Sequence, residues 1–272
     1  MLRGRFARVV AQRPSPDRRA LVIGAGLAGS AVVERLAARG WEVTLIERHA
    51  APAMEASGNH AGVIHPLVTR DDSILAQLSR AAFLYALRQW KGLEGVSWSQ
   101  CGVLQMPRDD AEEVSQRAAL ELLGYPPEYA RHLFVAEASN IAGVPLAAGG
   151  LWFERAAWVQ PVSLVRALLA KAGRLHPPGM LFNTEVASLS PISDGWAAID
   201  ADGRVIAKAP VVVLANAGEA MRLAPVPEVE LRRVRGQVTY LRAGNLPPFA
   251  CVLLRGGMAV PPVEGIAMAG AS

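Results

Sequence analysis

The chain has 272 residues, of which 51% are hydrophobic and 19% are charged, and its formal net charge is +4. This composition excludes an intrinsically disordered protein and is sufficient for one large α/β domain or two smaller lobes. The longest apolar run, residues 21–33, ends at Glu34 after thirteen residues, whereas a membrane-spanning helix needs about 20. We therefore predict no membrane segment.

The excess positive charge lies at the amino terminus. Residues 1–19 contain six arginines and one acid, Asp17, so residues 20–272 carry a net charge of about −1. The body of the protein therefore lacks the net basic field that is typical of nucleic-acid-binding domains. The terminal segment has no apolar core of a secretory signal. A transit peptide and a linker both fit it, and the Pro14-Ser15-Pro16 run favours the linker.

The cysteine content predicts the redox compartment. Cys101 and Cys251 are the two cysteines, and they form no CxxC pair. Two cysteines at this spacing do not support a disulfide framework. We predict two buried thiols in the reducing environment of the cytoplasm.

The first predicted elements form a β-α-β unit. Residues 19–23 are a short β-branched run that predicts a buried strand, and residues 27–39 show helical spacing that Gly40 ends. Residues 42–47 predict a second strand. A strand, a glycine turn, a helix and a strand within about 30 residues predict a parallel sheet.

The remaining elements follow from apolar spacing and from the Gly and Pro residues that bound each segment. Helices are predicted at residues 71–90, 112–123 and 161–172. Strands are predicted at residues 96–106, 181–190, 195–201, 204–209, 211–218, 237–242 and 250–254. The dipeptide Asp202-Gly203 between two alternating runs predicts a hairpin. Asp71-Asp72-Ser73 predicts a helix N-cap with acids in the first turn and no chemistry.

A glycine-rich turn follows the first predicted strand. Its sequence, Gly24-Ala25-Gly26-Leu27-Ala28-Gly29, has the G-x-G-x-x-G spacing. The first glycine permits a tight turn, the second lets the backbone approach a pyrophosphate, and the third lets helix and strand pack closely. Glu47 closes the second strand, where a carboxylate binds ribose hydroxyls and repels a 2′-phosphate. The turn and Glu47 therefore predict a dinucleotide site, and Arg48 is either a solvated charge or a neighbour of the adenine.

NAD and FAD share this fingerprint, so other features must distinguish them. A second turn of small residues, 56–62, suits the close approach of the far end of a long dinucleotide. The apolar strand at residues 211–218 ends in small residues and leaves room at the carboxyl edge of the sheet, where ligands of α/β proteins bind. The candidates from these two segments are Ser57, Gly58, Asn59, Gly62, Ala215, Asn216 and Gly218.

Together, five segments carry a family resemblance. They are GAGLAGSAVVERLAARGWEVTLIER, ASGNHAGVIHPLVT, TEVASL, VVVLANAG and RGQVTYL. The set, within residues 19–272, resembles the FAD-dependent oxidoreductases of the D-amino-acid oxidase (DAO) superfamily. Residues 56–66 and Arg235-Gly236-Gln237 are most similar to the oxidoreductase half of the bifunctional tRNA wobble-uridine modification enzymes of the MnmC type. The resemblance implies FAD as the cofactor and adds Val186 to the cofactor-binding candidates.

The resemblance also implies an architecture. It is an α/β fold with a Rossmann-like FAD-binding lobe, residues 19–90 and 160–218, and an interleaved mixed-sheet substrate lobe, residues 91–159 and 219–272. Residues 1–18 would be the remnant of a preceding methyltransferase domain. The family pattern continues beyond Ser272, so we expect a chain that is truncated at its carboxyl end relative to the family.

The activity that the resemblance implies is oxidative. The carboxymethyl group of 5-carboxymethylaminomethyl(-2-thio)uridine at the tRNA wobble position is removed as glyoxylate, and the methyltransferase half then methylates the amine. Arg235 and Arg70 are candidates to bind the substrate carboxylate, because a guanidinium binds carboxylates bidentately. Gln237 and His65 are further candidates for substrate contact. All four also fit plain structural roles, and the catalytic residues stay unassigned.

Two other functions stay open on the sequence. The near-neutral body favours an FAD-dependent oxidase of a free small amine such as glycine, sarcosine or a D-amino acid. The abrupt carboxyl end favours a non-catalytic fragment that binds an adenine dinucleotide weakly or only scaffolds a partner. No Ser/His/Asp set and no metal-ligand spacing is present in the sequence, so we expect no metal.

Overall fold

The computed structural model describes residues 17–225, 231 and 234–271. The tail of residues 1–16, for which the linker is predicted, lies outside this range. In the described part of the chain the helices are α1 (Leu27–Ala37), α2 (Ile74–Trp90), α3 (Asp110–Leu123), α4 (Val135–Ala142), α5 (Pro161–Leu175) and α6 (Ala220–Leu223).

The strands formed by the described residues are β1 (Arg19–Ile23), β2 (Glu42–Ile46), β3 (Gly62–Ile64), β4 (Trp98–Ser99), β5 (Val103–Gln105), β6 (Arg131–Leu133), β7 (Gly150–Phe153), β8 (Ala157–Val159), β9 (Gly179–Leu181), β10 (Ser188–Ile192), β11 (Gly195–Ile199), β12 (Val205–Ala209), β13 (Val211–Leu214), β14 (Gln237–Arg242), β15 (Val252–Leu254), β16 (Met258–Val263) and β17 (Ile266–Ala271). None of the helices in the described ranges has the length and apolar character that crossing a membrane requires.

The chain divides into two compact units. Of the described residues, the first unit holds 17–54, 168–225 and 231, and the second holds 55–167 and 234–271. Residues 55–90, predicted with the FAD-binding lobe, lie in the second unit because β3 pairs with β8 and α2 buries Phe83 and Leu87 in that unit's core. The functional division into an FAD-binding and a substrate lobe stays a prediction.

The first unit contains the predicted parallel sheet. Its four strands have the order β13-β1-β2-β9, and each neighbouring pair is parallel. Leu21 at its centre lies opposite both Val212 and Thr44. The β-branched run of β1 is buried, as predicted from its composition. The carboxyl ends of these strands therefore meet at one edge, where the glycine turn begins.

Helix α1 is attached within this unit by an ion pair between a buried carboxylate and partly exposed cations. The carboxylate of Glu34, 3% exposed, accepts a hydrogen bond from the Nζ of Lys171 at 2.9 Å and also pairs with Arg35. Burial alone would raise the pKa of Glu34, but the hydrogen bonds from Arg35 and Lys171 lower it. The amphipathic helix thus carries a charged group in its buried face, which is tolerated because two cations satisfy it.

The predicted hairpin also lies in the first unit. Strands β10, β11 and β12 form an antiparallel sheet, and Gly203 in the turn between the last two has a φ of +80°. Asp200 Oδ1 accepts hydrogen bonds from the amides of Asp202 and Arg204 at 3.0 and 2.8 Å. The Asp-Gly prediction is therefore confirmed.

The second unit is built on a mixed sheet of seven strands. Their order is β14-β17-β16-β15-β5-β7-β6, and the β15–β5 pair alone among these neighbours is parallel. One face packs on α2 through Phe83 and Leu87. At the β5–β7 end, Ala138 and Ala142 of α4 pack on Leu104 and Trp152. Parallel and mixed sheets together confirm the predicted α/β fold class.

Some element predictions are wrong in detail. Helix α5 continues through Gly173 to Leu175, so Gly173 lies inside the helix and does not end it. Residues 181–190 are not one strand, since the backbone turns at Asn183, where φ is +52°, and β10 starts only at Ser188. Helix α4 was not predicted.

Candidate functional site

The glycine turn of the first unit has the close packing that the motif predicts. Gly24 has a φ of +102°, and a Cβ at this position would lie 2.7 Å from the carbonyl oxygen of Ala215. A Cβ at Gly29 would lie 1.8 Å from the carbonyl oxygen of Gly24. Only glycine fits either position, so the first turn of α1 is held directly against the end of β1.

Gly26 occupies the N-cap position of α1. Its φ of −79° and ψ of −167° are extended values that other residues also adopt. Leu27 and Ala28 follow in the first turn of α1, and no acidic side chain lies in that turn. The amino end of α1 therefore presents the positive end of the helix dipole with no acidic residue in its own first turn, which favours binding of an anionic group.

Glu47 follows β2 directly and is 8% exposed. Its Oε2 accepts a hydrogen bond from the Ala25 amide at 2.7 Å, and its Oε1 accepts one from the His49 amide at 2.9 Å. Because each carboxylate oxygen has two lone pairs, a ligand hydroxyl can still be accepted. The carboxylate thus holds the glycine turn in place, a role that the sequence did not indicate.

Two further residues lie next to Glu47 and Ala25: Arg48, which follows Glu47 in the chain, and Ala53, which contacts Ala25. Arg48 is exposed, with its Nε 3.4 Å from the Nε2 of His49, and its predicted place near adenine stays a prediction. Ala53 has a φ of +61°, and its amide donates to the Ala25 carbonyl at 3.1 Å. Sequence reasoning missed Ala53 because alanine carries no signal for a left-handed backbone.

The carboxyl end of β13 lies beside the same turn. The amide of Ala215 donates to the carbonyl of Ile23 at 2.8 Å, which fixes β13 against β1. The Oδ1 of Asn216 is buried and has no hydrogen-bond partner among the described residues. Gly218 is exposed in the 3₁₀ turn that follows. A buried acceptor without a donor in the protein is available to accept a hydrogen bond from a bound group.

Val186 has a structural role in the first unit. Its side chain is 3% exposed and packs in the core cluster that contains Leu21 and Ile46. Its carbonyl accepts a hydrogen bond from the Nη2 of Arg222 at 3.1 Å. Only the backbone of Val186 is therefore left for the predicted contact with a cofactor.

These observations fit an FAD-type dinucleotide on the first unit. The positive end of α1 suits a diphosphate, the Glu47 carboxylate suits ribose hydroxyls, and the Asn216 oxygen without a partner suits a donor on the ligand. No group of three or more His, Cys, Asp or Glu side chains in the described ranges is placed to hold a metal ion.

The second small-residue turn lies in the second unit. Ser57 and Gly58 belong to a 3₁₀ turn, Asn59 follows it, and Gly62 begins β3. Gly58 and Asn59 line a cavity of about 660 Å³ together with His60, Gln160, Arg166 and Tyr240. The predicted contact of this turn with the far end of a dinucleotide stays a prediction.

A second cavity of about 640 Å³ lies on the seven-stranded sheet. Gln237 and Thr239 of β14 line it together with Arg255, which lies in the turn between β15 and β16. Sequence reasoning missed Arg255, although Arg255-Gly256-Gly257 after a predicted strand is a signal for an exposed turn.

The other predicted substrate contacts are not among the residues that line this cavity. Arg235 is exposed just before β14, and Arg70 is exposed in the turn before α2. His65 packs beside Phe153 with ring centroids 5.8 Å apart, and burial lowers the pKa of its imidazole. The roles of these three residues toward a substrate stay predictions.

The acids before α2 have structural roles. Ser73 is the N-cap and accepts a hydrogen bond from the Ala76 amide at 3.3 Å, as predicted. Asp72 lies outside the first turn and pairs with Arg80 at 2.8 Å, and the hydrogen bond from Arg80 lowers the pKa of its carboxyl. The expected acids in the first helical turn are therefore absent from α2.

The two cysteines are free thiols, with Cys251 buried and Cys101 partly buried. Burial raises the pKa of Cys251 to about 12 and also raises the pKa of Cys101. Because the thiolate is the reactive form, neither side chain is an activated nucleophile.

Comparison with known proteins identifies relatives over nearly the whole chain. A protein from Paraburkholderia xenovorans is 44% identical over all of this chain and 43% of its own length. One from Burkholderia multivorans is 49% identical over 94% of this chain and 39% of its own length. Both are named tRNA 5-methylaminomethyl-2-thiouridine biosynthesis bifunctional protein MnmC. The chain thus spans about two fifths of the length of these relatives.

Solved structures share the fold. Glycine oxidase from Geobacillus kaustophilus superimposes with a TM-score of 0.76 at 22% identity and covers 94% of this chain and 71% of its own. L-proline dehydrogenase from P. horikoshii has a TM-score of 0.74 at 19% identity over 94% of this chain and 70% of its own. The family model described as FAD dependent oxidoreductase (DAO) matches residues 19–272. The chain therefore belongs to the DAO family of FAD-dependent oxidoreductases, as its motifs indicated.

Proposed function

We propose that this chain is the oxidoreductase part of a tRNA wobble-uridine modification enzyme. It would remove the carboxymethyl group from 5-carboxymethylaminomethyl(-2-thio)uridine and release glyoxylate. The observation that carries this proposal is the identity of 44–49% to proteins named for tRNA 5-methylaminomethyl-2-thiouridine biosynthesis. The DAO family match supports an FAD-dependent oxidation at a CH–NH group.

The residues proposed to hold FAD follow from the site. The amino end of α1, Gly24–Gly29, would bind the diphosphate, and Glu47 would bind ribose hydroxyls while it holds the Ala25 amide. The other proposed cofactor contacts are Arg48, Ser57, Gly58, Asn59, Gly62, the Val186 backbone, Ala215, Asn216 and Gly218. When bound, FAD supplies a two-electron acceptor for the C–H bond next to the substrate amine.

The protein residues would orient the substrate. Gln237 and Thr239 offer donors and acceptors on one wall of the sheet cavity, and Leu253 and Met258 give it apolar walls that displace water. In the net reaction, the carboxymethylamino group and one water become a primary amine and glyoxylate, and two electrons leave with two protons. The chain thereby contributes binding and orientation.

Further partners follow from the same proposal. The proposed substrate is tRNA, so we propose a cytoplasmic location for the protein. A methyltransferase domain would act on the amine product. Residues 20–272 carry a net charge of about −1. This near-neutral surface gives little long-range attraction to tRNA, so the positive charge for tRNA binding would come from the methyltransferase domain.

An FAD-dependent oxidase of a free small amine is the second candidate. The observation that favours it is the same near-neutral charge of residues 20–272, because a small zwitterionic substrate needs no basic field. The non-catalytic fragment is a third outcome of the test below.

The test combines the purified chain, FAD and two kinds of substrate. We expect the protein to bind FAD and to release glyoxylate from tRNA that carries 5-carboxymethylaminomethyluridine, with 5-aminomethyluridine appearing in the digested tRNA. Glycine, sarcosine and D-alanine serve as competing substrates in parallel assays. Glyoxylate from free glycine with none from tRNA would support the small-amine oxidase, and a protein that takes up no FAD would support the fragment.

A further inference from the structure

One end of the first unit carries a connected group of cations. The Nη1 of Arg18 donates to the carbonyl oxygen of Arg39 at 3.2 Å, and the Nη1 of Arg39 donates to the carbonyl oxygen of Arg35 at 2.8 Å. Arg35 and Lys171 both pair with the carboxylate of Glu34. These contacts join four cations, from the residue before β1, from α1 and the turn after it, and from α5. We call Arg18, Arg35, Arg39 and Lys171 the basic face.

The basic face has an excess of positive charge. Glu34 is the acid that its contacts include, and this residue is 3% exposed, so its charge is used inside the protein. Arg174 lies one helical turn after Lys171 on α5 and adds a fifth cation. The exposed acid beside the face is Glu42, whose amide donates to the carbonyl oxygen of Arg18 at 2.9 Å. Five cations against two acids leave the surface positively charged.

The two outer arginines can bind a partner. Arg18 and Arg39 are exposed, and in the part of the chain that the structure describes neither forms an ion pair with a carboxylate. Arg19, next to Arg18, is by contrast paired with Asp17. A guanidinium has five N–H donors, and the backbone carbonyls take one from each outer arginine. The remaining donors are available to an anion.

The basic face lies at the far end of α1 from the glycine turn. Gly26 is the N-cap of α1, whereas Arg35 lies in its last turn and Arg39 follows it. A helix of eleven residues is about 16 Å long, so the face is separate from the proposed diphosphate site. Cations at a helix carboxyl end also stabilise the helix dipole, but Arg18 and Lys171 belong to other segments. A role in the stability of α1 therefore does not account for the whole cluster.

We propose that the basic face binds phosphates of the tRNA backbone. The inference rests on the proposed function and deepens it by locating RNA contacts away from the modified base. A guanidinium binds two phosphate oxygens at once, and several cations on one surface suit a polyanion. Residues 1–16, which lead directly into Asp17, add four arginines and no acid to this end of the chain. The basic face would supplement the positive charge that the methyltransferase domain would bring.

The test measures how RNA affinity depends on salt. The purified chain with added FAD is titrated into a fluorescein-labelled, unmodified tRNA transcript between 50 and 200 mM KCl, and fluorescence anisotropy gives Kd. Unmodified tRNA lacks the group that is oxidised, so the measurement is independent of the reaction. Arg18→Gln/Arg39→Gln should raise Kd by about fivefold or more at the lowest salt. The slope of log Kd against log salt concentration should fall by about 1.4–1.8, because each lost phosphate contact contributes about 0.7–0.9.

Two further double variants separate position from net charge. Arg108→Gln/Arg204→Gln removes the same charge at two exposed arginines that already pair with acids, and it should keep the wild-type slope. Arg18→Lys/Arg39→Lys keeps both charges on the basic face and should keep most of the slope. Thermal unfolding and FAD binding of every variant show whether its fold and its cofactor site are intact.

Three results would overturn the inference. They are a wild-type chain without measurable affinity for tRNA, a folded Arg18→Gln/Arg39→Gln protein with the wild-type Kd and slope, and an equal loss in the Arg108→Gln/Arg204→Gln control. The second result would favour an acidic protein surface as the partner of the basic face.

The proposed function is tested separately with tRNA that carries 5-carboxymethylaminomethyluridine. RNA binding that depends on Arg18 and Arg39, without release of glyoxylate, would leave the basic face standing and reject the oxidation. Release of glyoxylate with the same KM for tRNA in the wild type and in Arg18→Gln/Arg39→Gln would do the reverse.

Discussion

The Glu47 carboxylate accepts a hydrogen bond from the Ala25 amide at 2.7 Å, and both residues are buried. This bond joins the end of β2 to the glycine turn after β1. A second bond, from the His49 amide to the other carboxylate oxygen, holds the side chain in position. The backbone that faces the predicted diphosphate is thus fixed before any ligand binds.

Glu47→Ala should destabilise the FAD-free protein. The buried Ala25 amide would lose its acceptor, which costs about 1–3 kcal/mol in the free energy of unfolding. Glu47→Gln keeps an acceptor oxygen and should lose less. Thermal unfolding of the two variants and the wild-type protein measures this order, and equal Tm values for all three would contradict it.

Gly29→Ala should destabilise the protein severely, and Gly173→Ala should not. A Cβ at Gly29 would lie 1.8 Å from a backbone oxygen, so α1 has to move away from β1. At Gly173, inside α5, nothing lies within 4 Å of the added Cβ, and alanine should stabilise the helix by roughly 0.5–1 kcal/mol. Urea unfolding monitored by circular dichroism gives both values. A Gly29→Ala protein as stable as the wild type would show that the close contact is not required.

Gly26→Leu should weaken FAD binding without unfolding the protein. The φ and ψ of Gly26 are accessible to leucine, so the added side chain should obstruct a ligand rather than strain the backbone. We expect the dissociation constant of FAD to rise by at least about tenfold, equivalent to about 1.4 kcal/mol.

Flavin fluorescence quenching measures that constant, and Gly173→Leu is the matched control away from the turn. A Gly26→Leu protein that binds FAD as tightly as the control would reject the placement of the diphosphate at the amino end of α1.

His65 should make stability depend on pH on the acid side of neutrality. Burial lowers the pKa of its imidazole in the folded protein, so the unfolded chain binds a proton at a higher pH than the folded chain. The free energy of unfolding should therefore fall as the pH falls from about 6.5 toward the lowered pKa, by no more than about 1.4 kcal/mol per pH unit.

His65→Phe removes this titration and keeps a ring beside Phe153. Its Tm should fall less than that of the wild type between pH 7.5 and pH 5.5. Parallel pH profiles for His65→Phe and the wild type would contradict the prediction. Part of the pH dependence of stability should remain in the His65→Phe protein, because burial also lowers the pKa of His132.

Local patterns determined much of the fold. β1 and β14 have the predicted bounds, and α1 starts at the predicted Leu27. The turns at Gly24 and Gly203 have the positive φ that their sequences predict. These features are readable because residue period and turn chemistry act between residues close in the chain.

Non-local pairing decided the rest. The sequence identified Glu47 but could not show that its carboxylate holds the Ala25 amide, since β2 must first pair with β1. Arg255 and Gln237 border one cavity only because β17 and β16 connect β14 to β15. The family and its dinucleotide turn were determined by the sequence alone, whereas the side chains that share a cavity were set by strand order, which no local pattern encodes.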